Sequence, residues 1–127
     1  MKIHHIGYVV KNIDKYKQNL IIKKSIKKVY DKIQKAELEL IQADNILIEL
    51  IEPQDKSAFT YNFLKNGGGY HHLCYEVNSL DEAFDIIKKN RMIKVLEPMY
   101  AVLLDAYVVF AYNRNKEMTE FVICQKK

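Results

Sequence analysis

Two histidines and two glutamates lie at matching places in the two halves of this 127-residue chain. His5 begins the apolar run HIGYVV, and His72 begins the similar run HLCYEV. Glu49 and Glu120 each interrupt an apolar run that comes later in the same half. A buried carboxylate is costly unless it is paired or bound to a metal, and imidazole and carboxylate groups together suit divalent transition metals. The four residues therefore predict a metal site.

This donor set indicates which ion and which chemistry to expect. Two imidazole nitrogens and two carboxylate oxygens favour one divalent ion such as Mn, Fe, Co, Ni or Zn over a structural zinc held by thiolates. A six-coordinate ion keeps two positions for water or for two neighbouring oxygens of a substrate. Such a site suits stabilisation of an enolate or enediolate while a nearby carboxylate moves the proton.

The matching places come from an internal repeat. Residues 5–14 align with residues 72–81 at a constant offset of 67, with His on His, Tyr on Tyr, Val on Val and Asp on Asp. Self-similarity of this kind is typical of a duplicated supersecondary unit. Hydrophobic periodicity and turn residues predict the order βαβββ in each half. We therefore expect an α+β domain in which two tandem βαβββ modules form an eight-stranded mixed sheet.

The first module is expected to cover about residues 1–53. A helix capped by Asn12 is predicted to run to about Leu20, with Ile13 and Tyr16 on its apolar stripe. The dipeptide at residues 44–45 predicts a hairpin turn. The strands of this module are predicted over residues 3–10, 26–30, 36–41 and 46–51.

The second module is expected to cover about residues 70–127, within the same single domain. Ser79 and Glu82 predict a capping box for a helix over residues 80–89, and Asn90 predicts its left-handed C-cap. The strands are predicted over residues 70–77, 93–96, 107–112 and 118–124.

Residues 54–69 join the two modules and include a short predicted helix near residues 58–65. Three consecutive glycines follow at positions 67–69. They have two interpretations, a flexible join or an anion-binding nest, and the join is the more usual role for glycines between repeats.

Strand alternation predicts which side chains share a face. His5 lies on the same face as Gly7, and by the repeat His72 lies on the same face as Cys74. Tyr8 and Tyr75 belong to the opposite, helix-facing side. His4 and His71 also fall on that side, so we expect them to be structural or solvent-facing. Taken alone, each of the four candidate ligands has an ordinary structural interpretation, and it is their recurrence at matched positions that favours the metal.

Composition limits the classes of partner. The net charge of +4 is densest at four lysines, which form either a solubilising surface or a contact for a phosphate-bearing group: Lys23, Lys24, Lys27 and Lys28. No nucleic-acid-binding motif accompanies them, and no apolar stretch is long enough to cross a membrane. The absence of a signal peptide and the wide separation of Cys74 and Cys124 predict reduced thiols and a cytoplasmic location.

These motifs resemble the vicinal oxygen chelate superfamily, and most of all its methylmalonyl-CoA epimerase and glyoxalase I branches. The resemblance covers essentially the whole chain and is strongest in three pieces: HIGYVVKNID at residues 5–14, IELIEP at residues 48–53 and GGYHHLCYEV at residues 68–77. It implies paired βαβββ modules that form a cup around one metal ion, and a homodimer.

The resemblance also assigns roles to residues. It implies that His5, Glu49, His72 and Glu120 are the metal ligands and that Glu120 also transfers the proton. Glyoxalase-like members have Glu at the position of Glu49, whereas many epimerases have Gln there. A second catalytic carboxylate is expected before the third strand, where Asp31 is the candidate. Two further segments depart from the family: NRNKEM at residues 113–118 replaces the usual hairpin with Pro and Gly before Glu120, and the 97–105 loop is apolar and unlike a glutathione site.

Several functions fit this interpretation. We expect a metal-dependent epimerase or isomerase that removes a proton next to a carbonyl or thioester, with an acyl-CoA or carrier-protein thioester as substrate. A glyoxalase I-type lyase is the first alternative, and an extradiol dioxygenase is a weaker one because Glu49 fills a position that oxygen would need. The alternative outside enzymes is a metal-free protein that sequesters small molecules such as drugs. The fold alone does not decide among them.

Overall fold

A computed structural model describes residues 1–124 of the chain. Strands alternate with three helices in the following order: β1 (Ile3–Val9), α1 (Ile13–Lys17), β2 (Lys24–Asp31), β3 (Ala36–Ala43), β4 (Ile46–Pro53), α2 (Tyr61–Lys65), β5 (Gly69–Val77), α3 (Leu80–Lys89), β6 (Ile93–Lys94), β7 (Met99–Ala101), β8 (Ala106–Tyr112) and β9 (Met118–Ile123). The contacts divide the described residues into two compact units, residues 5–71 and residues 1–4 together with residues 72–124.

The first unit contains strands in the order β2-β3-β4-β1. β3 is antiparallel to β2 and β4, whereas β4 is parallel to β1. Helix α1 packs on one face of these strands, where Ile13 lies in a buried cluster with Val10, Ile41 and Leu50. Asn12 caps the helix as predicted, because its Oδ1 accepts a hydrogen bond of 2.8 Å from the Lys15 N–H.

Two local features of this unit follow from its turns. The hairpin between β3 and β4 has Asp44 in the left-handed region at φ 61°, which agrees with the predicted two-residue turn. Helix α1 ends at Lys17 rather than near Leu20, because Asn19 and Leu20 donate hydrogen bonds to carbonyls three residues back and tighten the last turn.

The second unit has the same plan. β5 is parallel to β9, β9 is antiparallel to β8, and β6 and β7 both pair with β8. Helix α3 buries Ala83 and Ile87 against Val77, Val109 and Phe121. One parallel pair and two or more antiparallel pairs in each unit confirm the predicted α+β class and the βαβββ plan, to which the second unit adds one short strand.

Helix α3 has the predicted bounds but a different C-terminal cap. The Glu82 N–H donates to Ser79 Oγ, as the predicted capping box requires, but the Glu82 carboxylate accepts from the N–H of Asn78, one residue before the N-cap. The left-handed residue is Arg91 at φ 54°, not Asn90. The prediction for Asn90 was wrong because Asn90 remains on the helical side of the turn, where its side-chain amide donates to the Ile86 carbonyl.

Gly67 and Gly68 form an ordered end to helix α2, and Gly69 begins β5. The Gly67 N–H donates to the Leu64 carbonyl and the Gly68 N–H donates to the Phe63 carbonyl, which is the bonding pattern of a Schellman cap. Gly68 has φ 67°, and a Cβ on it would lie 2.8 Å from the Val9 carbonyl oxygen. Glycine at this position therefore lets the join pass close to β1.

The strands of the described part of the chain number nine rather than the eight predicted. The additional strand is β7, which lies in the segment expected to be an apolar loop. Its three residues pair with β8 through a hairpin in which Asp105 is left-handed at φ 51°. No helix within residues 1–124 is long and apolar enough to cross a membrane.

Candidate metal centre

In the first unit, the parallel pairing of β1 with β4 brings a histidine to a glutamate. The register sets Gly7 opposite Glu49, and His5 lies on the same face of β1 as Gly7 because the two are two residues apart. His5 Nε2 lies 3.3 Å from Glu49 Oε1. The opposite face of the same strands carries the core under α1, so the pair points away from the helix.

In the second unit, β5 and β9 reproduce this arrangement. Cys74 lies opposite Glu120, and His72 is two residues before Cys74. His72 Nε2 lies 3.0 Å from Glu120 Oε1. Each module therefore places its glutamate opposite the residue that follows its histidine by two positions, which is the equivalence that the repeat predicts.

All four side chains are removed from water. The exposed fractions are 0% for His5, 4% for Glu49, 1% for His72 and 2% for Glu120. Burial of a carboxylate beside an imidazole costs desolvation free energy that a bound cation offsets. Each unit offers one imidazole nitrogen and one carboxylate oxygen, and these ligand atoms suit Mn, Fe, Co, Ni or Zn. The residues present thus fit the ion that the sequence predicts.

Glu39 shows how a buried glutamate is neutralised when no metal is involved. It lies on β3 with its side chain on the helix-facing side, and it is 1% exposed. Lys17 Nζ donates a hydrogen bond of 2.7 Å to Glu39 Oε2, and Lys28 Nζ lies 3.7 Å from Oε1. Glu49 faces the opposite side of the adjacent strand, where its carboxylate lies beside the imidazole of His5.

An aromatic residue that the sequence analysis did not single out supports His72. The ring of Phe110 lies edge-on to the imidazole, with 5.9 Å between ring centroids. Phe110 is opposite Glu120 in the pairing of β8 with β9, so its side chain is on the same face. Alternation along β8 was the available clue, because it places Val108, Phe110 and Tyr112 on one face.

The loop before Glu120 is ordered without the usual Pro and Gly. Asn113 Oδ1 accepts hydrogen bonds from the N–H groups of Asn115 and Glu117, and Lys116 adopts the left-handed conformation at φ 62°. These residues close the turn between β8 and β9 and thereby fix the register of Glu120.

The structure does not bring Asp31 to the histidine–glutamate pair. Asp31 lies at the end of β2, where its carboxylate accepts hydrogen bonds from the N–H groups of Ile33 and Gln34 and from the Gln34 side chain. Its partners across the strands are Ala36 and then Pro53. Pro53 is four residues beyond Glu49, roughly 13 Å along the strand. Asp31 thus stabilises the turn after β2, and its catalytic role stays a prediction.

The remaining histidines lie outside the pairs. His71 is buried, and its ring contacts Phe63 edge-on with 4.9 Å between ring centroids. It is therefore one of the structural histidines expected from the sequence. His4 is partly exposed.

The sequence also matches a family model. Residues 4–110 match the model described as Glyoxalase/Bleomycin resistance protein/Dioxygenase superfamily. The chain belongs to this superfamily. No curated protein gives a significant match to the sequence.

Solved structures show the same fold. A hypothetical protein from Bacillus halodurans matches with a TM-score of 0.85 and 24% identity, and the match covers 99% of this chain and 96% of that one. Methylmalonyl-CoA epimerase from Mycobacterium tuberculosis matches with a TM-score of 0.82 and 20% identity, over 98% and 88% of the two chains. A Streptomyces coelicolor methylmalonyl-CoA epimerase in complex with 2-nitronate-propionyl-CoA gives a TM-score of 0.83 at 17% identity, over 99% of both chains.

Proposed function

We propose that this protein is a metal-dependent epimerase or isomerase that exchanges the proton next to a carbonyl or thioester. The observation that carries the proposal is the buried histidine–glutamate pair, which recurs in the same register in each module. In this proposal the two pairs hold one divalent ion. The epimerases among the similar structures support an acyl-CoA or other acyl thioester as the substrate class.

Glu120 is the proposed proton-transfer group. A divalent ion held by these residues supplies Lewis-acid stabilisation of the negative charge that develops on the substrate oxygen. The Glu120 carboxylate takes the proton as the carbon–hydrogen bond breaks and later returns a proton to the same carbon. Phe110 and the surrounding apolar strands limit the access of water to the His72 imidazole.

Metal content and proton exchange test the proposal together. We expect untagged protein to contain about one divalent ion per chain after loading with Mn, Co, Ni or Zn, and His72→Ala to lose it. The metal-loaded protein should incorporate deuterium from D2O at the α-carbon of 2-substituted acyl-CoA thioesters. This exchange is measured by NMR and requires only one catalytic base. Asp31→Asn is the matched control for metal content, because it changes a buried carboxylate outside both pairs.

The outcomes separate the parts of the proposal. Protein that binds no ion under any loading condition would refute the metal site and favour a metal-free binding protein. A bound ion without exchange on any thioester would refute the epimerase. Loss of exchange in Asp31→Asn with the ion retained would assign the second proton transfer to Asp31, as the family resemblance predicts.

A glyoxalase I-type lyase is the second candidate, and Glu49 is the residue that favours it. Its carboxylate stands where glyoxalase-like members have one. The test substrate is the hemithioacetal formed from methylglyoxal and a thiol. Its isomerisation is measured through the absorbance of the thioester product, and this activity is distinct from α-proton exchange on acyl thioesters.

A further inference from the structure

The positive charge of the chain is concentrated in one segment. Residues 15–30 contain six lysines and no Asp or Glu. Since the whole chain has 20 basic and 16 acidic side chains, the remainder carries an excess of acidic groups. A surface this asymmetric attracts an anionic partner.

In one part of this segment every side chain is exposed to solvent. Residues 21–28, which we name the basic edge, form the end of the loop before β2 and the first five residues of that strand. Three isoleucines lie among its four lysines, and their exposed fractions are 97% for Ile21, 52% for Ile22 and 50% for Ile26. Lysines on an edge strand commonly prevent pairing with another chain. The isoleucines do the opposite, so protection of the edge does not explain this composition.

The basic edge borders the face that carries the proposed metal ligands. Within the described residues, β2 pairs with β3 alone and so lies at an edge of the strand order. Lys27 is opposite Leu40, which is opposite Glu49, and Lys24 is opposite Gln42 on the same face of β3. A register shift between Ser25 and Lys27 keeps both lysines on this face. Two strand spacings, about 10 Å, separate Lys27 from Glu49.

The mixture of side chains indicates the class of partner. The phosphates of a small cofactor would contact the lysines but would make no favourable contact with three exposed isoleucines. A bilayer surface needs apolar and charged side chains on opposite sides, whereas here they are interspersed. A protein surface with acidic side chains around apolar ones complements both kinds of residue.

We propose that the basic edge docks an acidic carrier protein whose acyl group reaches the site as a thioester. This inference rests on the proposed epimerase function and names its substrate class. Lys24 and Lys27 meet acidic side chains of the carrier, and Ile21 and Ile22 make the apolar contacts. The short distance from β2 to Glu49 leaves the docked carrier beside the site that receives its acyl group.

The first experiment compares one acyl group on two carriers. Kinetics of α-proton exchange are measured with the acyl-CoA thioester and with the same acyl group on a purified bacterial acyl carrier protein. We expect kcat/KM to be about tenfold higher for the carrier protein at low salt, and the advantage to disappear at high salt because exposed charges are screened.

Variants identify the surface. Lys24→Glu with Lys27→Glu, and separately Ile21→Ser, should lower the ratio of the carrier kcat/KM to the CoA kcat/KM by about tenfold. Lys88→Glu with Lys89→Glu is the matched control, since these two lysines are also exposed and adjacent but lie on α3. The control should leave the ratio unchanged.

A binding titration keeps this inference separate from the proposed reaction. Fluorescence anisotropy of the labelled, unacylated carrier protein measures docking without chemistry, and salt-sensitive binding that both variants weaken supports the docking even if no exchange occurs. Three results would overturn it: equal rates on both thioesters with no carrier binding, an equal loss on both thioesters in the lysine variant with none in Ile21→Ser, or binding of the basic edge to anionic vesicles but not to the carrier.

Discussion

Glu49 and Glu120 occupy equivalent register positions, but only Glu120 is proposed to exchange a proton. Substitution by Gln keeps an oxygen that can contact the ion and removes the ability to accept a proton. At saturating metal we expect Glu120→Gln to lower kcat for α-proton exchange by about 10²- to 10⁴-fold, and Glu49→Gln to retain most of kcat while needing more metal.

Deuterium exchange and metal titration, run side by side on the two variants, check this prediction. The two substitutions are each other's control, since both residues are nearly fully buried beside a histidine. Equal loss of kcat in both variants at saturating metal would show that Glu120 has no special role in proton transfer.

Glu39 is a buried carboxylate whose role is stability. Burial alone raises the pKa of Glu39, but hydrogen bonds from Lys17 and Ser25 and the charges of Lys17 and Lys28 bring the pKa below its ordinary value of 4.5. A carboxylate with a lowered pKa in the folded state stabilises the fold above its unfolded pKa and loses that contribution as pH falls. We expect Glu39→Gln to lower the free energy of unfolding at pH 7 by about 1–3 kcal/mol.

Urea denaturation of wild type and Glu39→Gln between pH 7 and pH 3 measures this effect. The difference between the two proteins should shrink as pH falls below about 4.5, the ordinary pKa. Glu37→Gln is the matched control on the same strand and should change stability by less than about 0.5 kcal/mol, because Glu37 is exposed. A difference that is constant across this pH range would contradict the assignment.

The end of helix α2 depends on a backbone position that only glycine fits. Gly68 combines a left-handed φ of 67° with a distance of 2.8 Å from its would-be Cβ to the Val9 carbonyl oxygen. We expect Gly68→Ala to destabilise the protein by about 1–3 kcal/mol. Gly68→Asn separates the two causes, since Asn tolerates the left-handed conformation but carries the same Cβ.

Thermal and urea denaturation of the two variants check this prediction. If the close approach dominates, Gly68→Asn should be no more stable than Gly68→Ala. Recovery of most of the stability in Gly68→Asn would show that backbone conformation is the main cost and that the join moves away from β1 easily.

Elements whose causes are local were predictable from the sequence. The caps at Asn12 and Ser79 depend on side chains within three residues, and the turn at Asp44 depends on its own conformational preference. The four candidate ligands were accessible because a histidine and a glutamate recur at matching places in both halves, whereas the register that sets Gly7 opposite Glu49 is known only from the structure. These features account for the order βαβββ and for the two pairs.

Elements formed by tertiary contacts were not predictable. Strand β7 has only three residues and is stabilised by pairing with β8. Its own sequence therefore predicted a loop. Arg91 adopts the left-handed conformation after α3, because the hydrogen bonds of the cap determine which position is left-handed whatever residue stands there. Asp31 is a local case that the sequence did not reveal, because its carboxylate accepts hydrogen bonds from the N–H groups two and three residues later, and a catalytic role for it stays a prediction.

An ion bound as proposed would link the two modules to the stability of the whole molecule. If both modules contribute ligands to one ion, the loss of one histidine removes all of the stabilisation that the ion provides. At an ion concentration of about 100 times Kd, binding adds about 2.7 kcal/mol to the folded state, which for a chain of this size raises Tm by roughly 10 °C. We expect this shift in wild-type protein stripped of metal and reloaded with Co or Mn.

The two histidine variants decide whether the ion is shared. With one shared ion, His5→Ala and His72→Ala should each abolish the whole shift, whereas two independent ions would leave about half of it in each variant. His71→Phe is the matched control, because His71 is buried against Phe63 and outside both pairs, and it should keep the full shift. Differential scanning fluorimetry across a metal titration measures all four proteins, and a half-sized shift in both His→Ala variants would mean that each module binds its own ion.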